Sequence, residues 1–236
     1  MAEPNTRKVA LVTGAARGIG RAIAQDLAQD HDLAFTWLTT TPKAPPEGAL
    51  ALQADLSQPG SAEEVIKAVI TRFGRIDVIV NNAGLVQPSP LEAYDPSAAQ
   101  AVLTVNLLAP GALLAAALPH LQPGAAIVNI SSVNAYLPPR GAALYGASKA
   151  ALNLWTKGAA KELGPRGIRV NAIAPGAINI PEAPRPDELT ELFVKETALG
   201  RIGTPEDIAR AVRFLASEAA GFITGEVLTV SGGYRL

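Results

Sequence analysis

Short runs of Val, Ile and Leu alternate along the chain with longer segments in which apolar residues recur at a helical period. The short runs lack the polar alternation of half-exposed strands, so they are typical of strands buried on both faces of a sheet. They lie at residues 9–12, 33–38, 49–53, 78–81, 126–130, 169–174 and 227–230. The segments of helical composition are residues 18–29, 61–73, 97–119, 144–163, 187–197 and 205–217.

The order of these elements is mostly strand, helix, strand, which predicts parallel strands joined by crossover helices. We therefore expect an α/β fold with a Rossmann-like, doubly wound parallel sheet of about seven strands and helices on both faces. No linker or repeat divides the 236 residues, so residues 1–236 should form a single domain. Between the second and third strands, the prolines within residues 39–48 favour a loop over a helix.

Composition and charge exclude several classes of function. Lys and Arg number 20 against 21 Asp and Glu, and no basic run is present, so we expect no nucleic-acid partner. The absence of cysteine excludes disulfides, thiolate catalysis and Cys-ligated zinc. His31 and His120 lack the spacing of metal ligands, so no metal site is expected.

Targeting and membrane signals are also missing from the pattern. Residues 1–8 are polar and lead straight into the first strand, unlike a signal peptide. The longest apolar stretch, residues 107–118, contains Pro110 and Gly111 and is shorter than the roughly 20 residues that span a bilayer. We expect a cytoplasmic protein that does not enter the membrane.

A glycine-rich turn directly follows the first strand and opens a helix. Its sequence is Thr13-Gly14-Ala15-Ala16-Arg17-Gly18-Ile19-Gly20. Such a turn directs backbone N–H groups and the positive end of a helix at a pyrophosphate, and glycine is required because a Cβ would block that approach. The position of this turn predicts a dinucleotide site.

The spacing Gly-x-x-x-Gly-x-Gly resembles that of the short-chain dehydrogenase/reductase family. Further motifs follow in the family's order over nearly the whole chain. They are Asp55-Leu56, Asn81-Asn82-Ala83-Gly84, Asn106, Ile130-Ser131-Ser132, Tyr145-Gly146-Ala147-Ser148-Lys149, Pro175-Gly176, Ile223-Thr224-Gly225-Glu226 and Ser231-Gly232-Gly233. Within the family, the chain resembles the 3-oxoacyl-[acyl-carrier-protein] reductase branch.

The spacing of Tyr145 and Lys149 places both on one face of a helix, where an ammonium favours phenolate and lowers the tyrosine pKa. Tyr145 is thus a candidate general acid/base for interconverting a carbonyl and an alcohol. The resemblance implies that Ser132 holds the substrate oxygen, with Ser131 structural. It also implies that Lys149 contacts the nicotinamide ribose and that Asn106 relays protons to Lys149 through water.

The resemblance divides the domain into a cofactor-binding half, about residues 1–125, and a catalytic and substrate half, about residues 126–236. Residues 181–197 should form a mobile lid hinged near Gly176 and Gly200. A departure from the family is Ile180, where a threonine is common. The expected cofactor contacts are Gly14, Ala16, Arg17, Gly18, Ile19, Gly20, Thr39, Asp55, Leu56, Asn82, Ala83, Gly84, Tyr145, Lys149, Pro175, Gly176 and Ile178.

We expect NADP(H) as the preferred cofactor, although NAD(H) could also serve. The second strand is followed by Leu38-Thr39-Thr40-Thr41, without the acid that binds the ribose hydroxyl of NAD. Arg17 suits bidentate binding of a 2′-phosphate, and Thr39 should add a hydroxyl contact. Lys43 is either a second charge or a solvated lysine.

The resemblance leaves the substrate and the partner open. The leading expectation is an NADP(H)-dependent oxidoreductase for a small-molecule carbonyl or alcohol. The motifs also fit a 3-oxoacyl-carrier-protein reductase proper, although residues 120–123 lack Lys and Arg, and Arg166 is a thin anchor for an acidic carrier protein. They fit an NAD-dependent alcohol or sugar dehydrogenase as well, and fold alone does not exclude a non-catalytic dinucleotide-binding protein. The family implies a homotetramer packed through helices around residues 98–118 and 146–163.

Overall fold

Seven strands form one parallel sheet in the computed structural model, which describes residues 7–235. The order across the sheet is β3-β2-β1-β4-β5-β6-β7, and every neighbouring pair is parallel. This confirms the expected doubly wound fold, with strand ends within two residues of the predicted ones. The strands are β1 (Lys8–Val12), β2 (His31–Trp37), β3 (Leu50–Gln53), β4 (Val78–Asn81), β5 (Ala126–Ile130), β6 (Arg169–Pro175) and β7 (Val227–Val230).

The predicted helices are also present, and one of them is interrupted. The segment predicted at residues 97–119 consists of two α-helices joined by a π-helical turn, Thr104–Leu108. The α-helices are α1 (Gly18–Leu27), α2 (Ser61–Phe73), α3 (Pro96–Leu103), α4 (Ala109–Ala117), α5 (Ala143–Leu163), α6 (Asp187–Lys195) and α7 (Pro205–Ala216). Short 3₁₀ turns occur at Leu91–Ala93, Val133–Ala135, Gly164–Arg166 and Glu218–Ala220. Residues 39–48 form the expected loop.

The core lies on both faces of the sheet because each strand alternates its side chains between two layers of helices. Helices α1 and α7 cover one face, where Ile23 and Val212 pack with strand residues such as Val12. Helices α2, α4 and α5 cover the other face, where Val69 and Leu113 pack in the same cluster as Leu11, Ile79 and Ile127.

The strand order changes direction between β1 and β4. In an open α/β sheet the crossovers on either side of such a point leave a crevice at the carboxyl ends of the strands, where ligands bind. The glycine-rich turn leaves β1 there, and Asn82, Ala83 and Gly84 leave β4 beside it.

Most of the apolar stretch at residues 107–118 belongs to a longer helical run, Pro96–Ala117. This run has 22 residues and a mean hydropathy of 1.6. Among residues 7–235 it is the one helix long and apolar enough, by length and composition, to cross a membrane. Core helices pass the same test, and Val102, Leu113 and Ala117 of this run are buried. The run is therefore weak evidence for a membrane span.

Candidate active site

The glycine-rich turn is shaped by close backbone approaches. Gly14 has φ +65°, and a Cβ added to it would lie 2.9 Å from the Cα of Ala83. A Cβ on Gly20 would lie 2.4 Å from both Nδ2 of Asn82 and the carbonyl oxygen of Gly14. Helix α1 begins at Gly18, and its N-cap residue, Arg17, gives it no side-chain hydrogen bond. The turn therefore offers a narrow backbone cradle and a helix N-terminus that suit a pyrophosphate.

Thr13 and Asn82 hold this turn against the end of β4. The Thr13 Oγ1 accepts hydrogen bonds from the backbone N–H groups of Asn82 at 3.0 Å and Ala83 at 2.9 Å. The Asn82 Nδ2 donates in return to the carbonyls of Thr13 at 2.9 Å and Gly14 at 3.0 Å. Because both amide protons of Asn82 are committed to the backbone, its side chain shapes the cradle from the protein side.

A cleft of about 670 Å³ runs from this cradle along the ends of β2 and β3. Its wall includes all twelve cofactor contacts expected from the first half of the chain, and Asp55 is the one acidic residue that the described chain contributes to it. The expected residues on the wall are Gly14, Ala16, Arg17, Gly18, Ile19, Gly20, Thr39, Asp55, Leu56, Asn82, Ala83 and Gly84. The sequence missed the wall residues Thr36, Trp37, Leu38, Thr40, Ala54, Ser57, Leu85, Ala101, Val105, Ile180 and Ala183.

Asp55 caps the turn that follows β3. Its carboxylate accepts hydrogen bonds from the Ser57 backbone at 3.0 Å, the Ser57 hydroxyl at 2.7 Å and the Gln58 amide at 3.2 Å. The hydrogen bonds from Ser57 hold the pKa of Asp55 below its usual value. Asp55 thus acts as a strand-end cap in this structure, and a contact with the adenine ring stays a prediction.

Ser132, Tyr145, Lys149 and Asn106 come together beside Gly84, at the carboxyl ends of β4 and β5. The Ser132 hydroxyl lies close enough to the Tyr145 phenol to favour its ionised form. The Lys149 Nζ lies 5.9 Å from the Tyr145 ring centre and donates to the Ile130 carbonyl at 2.9 Å. A Cβ on Gly84 would lie 3.5 Å from Asn106 Oδ1 and 3.6 Å from Lys149 Nζ, so both side chains pack against that glycine.

The pKa of Tyr145 differs from the expectation that Lys149 would lower it. Burial raises the pKa of Tyr145, and the hydrogen bond with Ser132 opposes this rise only in part. Burial also lowers the pKa of Lys149 to about 8. The expectation fails because the ammonium donates to the Ile130 carbonyl, and desolvation of the phenol is the larger effect.

The side chain of Asn106 is fully hydrogen-bonded. Its Oδ1 accepts from the Leu85 N–H at 2.8 Å, and its Nδ2 donates to the Leu85 carbonyl at 2.9 Å and to Ser148 Oγ at 3.0 Å. The buried amide therefore has partners for its oxygen and for both of its N–H groups. The backbone carbonyl of Asn106 lacks the usual donor of a regular helix, because Pro110, four residues later, has no N–H. Asn106 also lies in the π-helical turn, where the regular helical ladder is broken.

Ser131 has the structural role expected of it. Its hydroxyl donates to the Lys149 carbonyl at 3.3 Å, which ties α5 to the end of β5. Behind it the sequence missed a buried polar ladder, in which Asn81 donates to Asn129 at 2.7 Å and Asn129 to Thr156 at 2.9 Å. The three residues connect β4, β5 and α5 beneath the catalytic side chains.

The segment after β6 closes the opposite side of the site. Pro175 ends β6, and a Cβ on Gly176 would lie 2.7 Å from that of Ser231, so only glycine fits beside the last strand. Ile178 is buried and pairs with Gly203 in a short parallel bridge. Ile180 packs on the glycine-rich turn, since a Cβ on Gly18 would lie 3.4 Å from two of its side-chain carbons. At position 180 the chain therefore makes an apolar contact where the family commonly has a hydroxyl.

The comparisons with known proteins agree with this geometry. The family model described as enoyl-(acyl carrier protein) reductase matches residues 14–235. An uncharacterized oxidoreductase of Methylorubrum extorquens is 40% identical, covering 97% of this chain and 98% of the relative. The 3-oxoacyl-[acyl-carrier-protein] reductase FabG of Staphylococcus aureus is 38% identical, covering 96% and 97%.

A solved structure agrees over the same length. A short-chain dehydrogenase from Burkholderia cenocepacia in complex with NADP aligns with a TM-score of 0.89 and 34% identity, covering 97% of this chain and 98% of that one. The chain belongs to the short-chain dehydrogenase/reductase family. This short-chain dehydrogenase/reductase is an NAD(P)-dependent oxidoreductase acting on carbonyl or alcohol groups, and it resembles the FabG reductases.

Proposed function

We propose that this enzyme interconverts a small-molecule carbonyl compound and its alcohol, with NADP(H) as the preferred cofactor and Tyr145 as the general acid/base. The observation that carries the proposal is the cluster of Tyr145, Ser132, Lys149 and Asn106 at the end of the glycine-lined cleft. The nicotinamide would supply or accept the hydride. Its site is proposed at the edge formed by Pro175, Gly176 and Ile178.

The protein would handle the proton. The raised pKa of Tyr145 keeps the phenol protonated at neutral pH, which suits donation to a substrate oxygen during reduction. The Ser132 hydroxyl interacts with that phenol and can hold the same oxygen. In the oxidising direction, the phenolate form of Tyr145 would accept the proton of the alcohol, and the neighbouring ammonium of Lys149 would stabilise that phenolate before the transfer.

Replenishing the proton would involve Lys149 and the backbone of Asn106. The Lys149 ammonium has three donors, and one of them is directed to Ile130. The remaining donors are available to a ribose and to water. Since the Asn106 side chain is fully bonded, a water-mediated relay through this residue would use its backbone carbonyl, to which Pro110 cannot donate.

The preference for NADP(H) is supported by the charges around the far end of the cleft. Arg17 and Thr39 are exposed on its wall, and the segment Trp37 to Thr40 contributes no acid. The NADP complex of the similar Burkholderia enzyme supports the same choice. Lys43 is exposed and is not part of the wall, which favours its interpretation as a solvated lysine.

The function is tested by measuring turnover by the wild-type enzyme. The readout is the change in cofactor absorbance, with NADPH and with NADH. The substrate panel should contain simple ketones, secondary alcohols, sugars and a 3-oxoacyl thioester, so that reductase and dehydrogenase activities are separated. We expect carbonyl reduction with higher kcat/KM for NADPH. If cofactor binds but no member of the panel is turned over, a non-catalytic dinucleotide-binding protein is favoured instead.

The cofactor preference is tested with Arg17→Ala, using Lys43→Ala as a control that removes one charge outside the cleft. Loss of a charged hydrogen bond of about 1.5–3 kcal/mol should lower kcat/KM mainly with NADPH. Equal losses with NADPH and NADH would show that Arg17 acts on the shared pyrophosphate or on the shape of the loop.

Two further parts of the proposal concern surroundings and assembly. A homotetramer is supported by exposed apolar side chains on the predicted interface helices, Leu108 at 54% and Leu154 at 73% exposure. The mobile lid over residues 181–197 stays a proposal; its closed position would be held by the Glu182–Arg21 ion pair at 2.6 Å and the Phe193–Tyr234 ring contact at 5.6 Å, which opening would have to break. The cytoplasmic location stays a prediction.

A further inference from the structure

Arg185 carries a half-buried charge that no carboxylate balances. Its guanidinium lies 5.5 Å from the ring centre of Phe193, and its Nη1 donates to the Ile178 carbonyl at 2.5 Å. Among residues 7–235, no Asp or Glu oxygen lies within 4.0 Å of it. Desolvation lowers the pKa of Arg185. A guanidinium that is partly withdrawn from water and has no carboxylate beside it would be stabilised by an anion.

The acids of the surrounding segment are committed elsewhere or lie in solvent. Glu182 pairs with Arg21 at 2.6 Å, and Glu196 pairs with Arg235 at 2.7 Å. The acids of α6 are exposed and form no ion pair with Arg185; they are Asp187, Glu188 and Glu191. The charge of Arg185 therefore has no carboxylate partner, although several acidic residues lie near it in the sequence.

The position of Arg185 relates it to the reacting end of the site. Its acceptor, Ile178, follows β6, whose Ile173 carbonyl accepts the N–H of Ser131 at 2.7 Å, beside Ser132. Ile180 and Ala183 belong to the wall of the cofactor cleft, but Arg185 does not. The guanidinium is therefore not part of the wall of that cleft, and it lies on the segment expected to cover the substrate.

We propose that Arg185 binds an anionic group, a carboxylate or phosphate, on the substrate, so that the enzyme selects charged oxo compounds over uncharged ones. This rests on the proposed function. The hydrogen bond to Ile178 uses one N–H of the guanidinium and leaves others for a bidentate contact with an anion. The guanidinium carbon lies 5.5 Å from the centre of the Phe193 ring, which packs beside it, and the anion would supply the missing counter-charge.

The experiment compares charged and uncharged members of matched pairs. The probes are pyruvate, acetoacetate and levulinate, each with its ethyl ester, measured as kcat/KM with NADPH. The variants are Arg185→Gln, which removes the charge, Arg185→Lys, which keeps the charge without the fork, and Arg210→Gln. Arg210 is the control because it is 74% exposed on α7.

We expect the wild type to favour at least one acid over its ester. Arg185→Gln should lower kcat/KM for that acid by about ten- to a hundredfold, as for a lost charged hydrogen bond, and should leave the ester nearly unchanged. Arg185→Lys should recover part of the loss, and Arg210→Gln should behave as wild type.

Two results would overturn this role of Arg185 and leave the proposed function standing. One is turnover of the esters with no preference for any of the acids. The other is a loss in Arg185→Gln that is equal for acid and ester and is accompanied by weaker NADPH binding, which would assign Arg185 to the cofactor diphosphate. A wild-type enzyme that turns over neither these compounds nor any other ketone would overturn the proposed function as well.

Discussion

Thr13→Val should loosen the joint between the glycine-rich turn and β4. Thr13 is 1% exposed, and its hydroxyl is the acceptor for the backbone N–H groups of Asn82 and Ala83. The Asn82 N–H retains a second acceptor, the Val80 carbonyl at 3.1 Å, whereas Ala83 loses its acceptor. One unsatisfied, partly buried amide and one weakened bond predict a loss of about 2 kcal/mol in the free energy of unfolding.

The assay is urea and thermal unfolding at one fixed protein concentration, because assembly would make Tm depend on concentration. For a chain of this length, about 2 kcal/mol corresponds to a Tm roughly 4 to 8 °C lower. Thr13→Ser is the matched control, since it keeps the hydroxyl and should stay near wild type. The dissociation constant for NADPH should also rise in Thr13→Val, because Asn82 to Gly84 line the cleft. Equal stability and cofactor affinity in the two variants would refute this role of Thr13.

Three further predictions concern Lys149, the interface and the lid. Burial lowers the Lys149 pKa from 10.5 to about 8, so in that pH window the unfolded chain binds the extra proton. The unfolding free energy of cofactor-free wild type should therefore rise relative to Lys149→Met from pH 8 to 10.5, and a constant difference in urea titrations would contradict this. If the proposed homotetramer forms, Leu154→Glu should dissociate it in sedimentation equilibrium, whereas an unchanged mass argues against an α5 interface. Amide exchange over residues 181–197 should slow when NADPH binds, and unchanged rates would count against a lid.

The sheet was predictable because a parallel strand covered on both faces needs a continuous apolar run. The runs at β4, β5 and β7 give the observed ends to the residue, and β4 and β5 are buried throughout. The edge strands β3 and β7 differ from the expectation, because an edge position leaves them only partly buried. The glycine-rich turn was equally readable, since its backbone approaches Ala83 and Asn82 more closely than a Cβ would allow. Features of this kind depend on residues that are neighbours in the sequence, so the sequence predicts them.

The interruption at Thr104–Leu108 was not predicted, because its residues fit an ordinary apolar helix. The available signal was Pro110, which removes the N–H that would bond to the Asn106 carbonyl in a regular helix. The pKa of Tyr145 was missed for a different reason. The four-residue spacing to Lys149 fixes a shared helix face, but it carries no information about burial or about the Ile130 carbonyl that accepts from the ammonium.

Contacts between distant segments were also beyond the sequence. Two examples are the contacts of Arg185 with Phe193 and the Ile178 carbonyl, and the hydrogen bond from the Gly14 N–H to Thr36. These contacts arise only when the chain has folded. Neither Arg185 nor Thr36 belongs to a motif of the resemblance. Residues of this kind decide shape and charge at the site, whereas the motifs decide the reaction class.

The central claim is that Tyr145 transfers the proton, and the direct measurement is turnover by Tyr145→Phe with NADPH and the best ketone of the panel. The phenylalanine ring preserves the packing and removes the hydroxyl that would transfer the proton. We predict unchanged folding and nearly unchanged NADPH affinity, with kcat lower by about 10²–10⁴-fold, as for loss of a general acid. A variant with wild-type turnover would contradict the assignment of Tyr145 as the general acid/base.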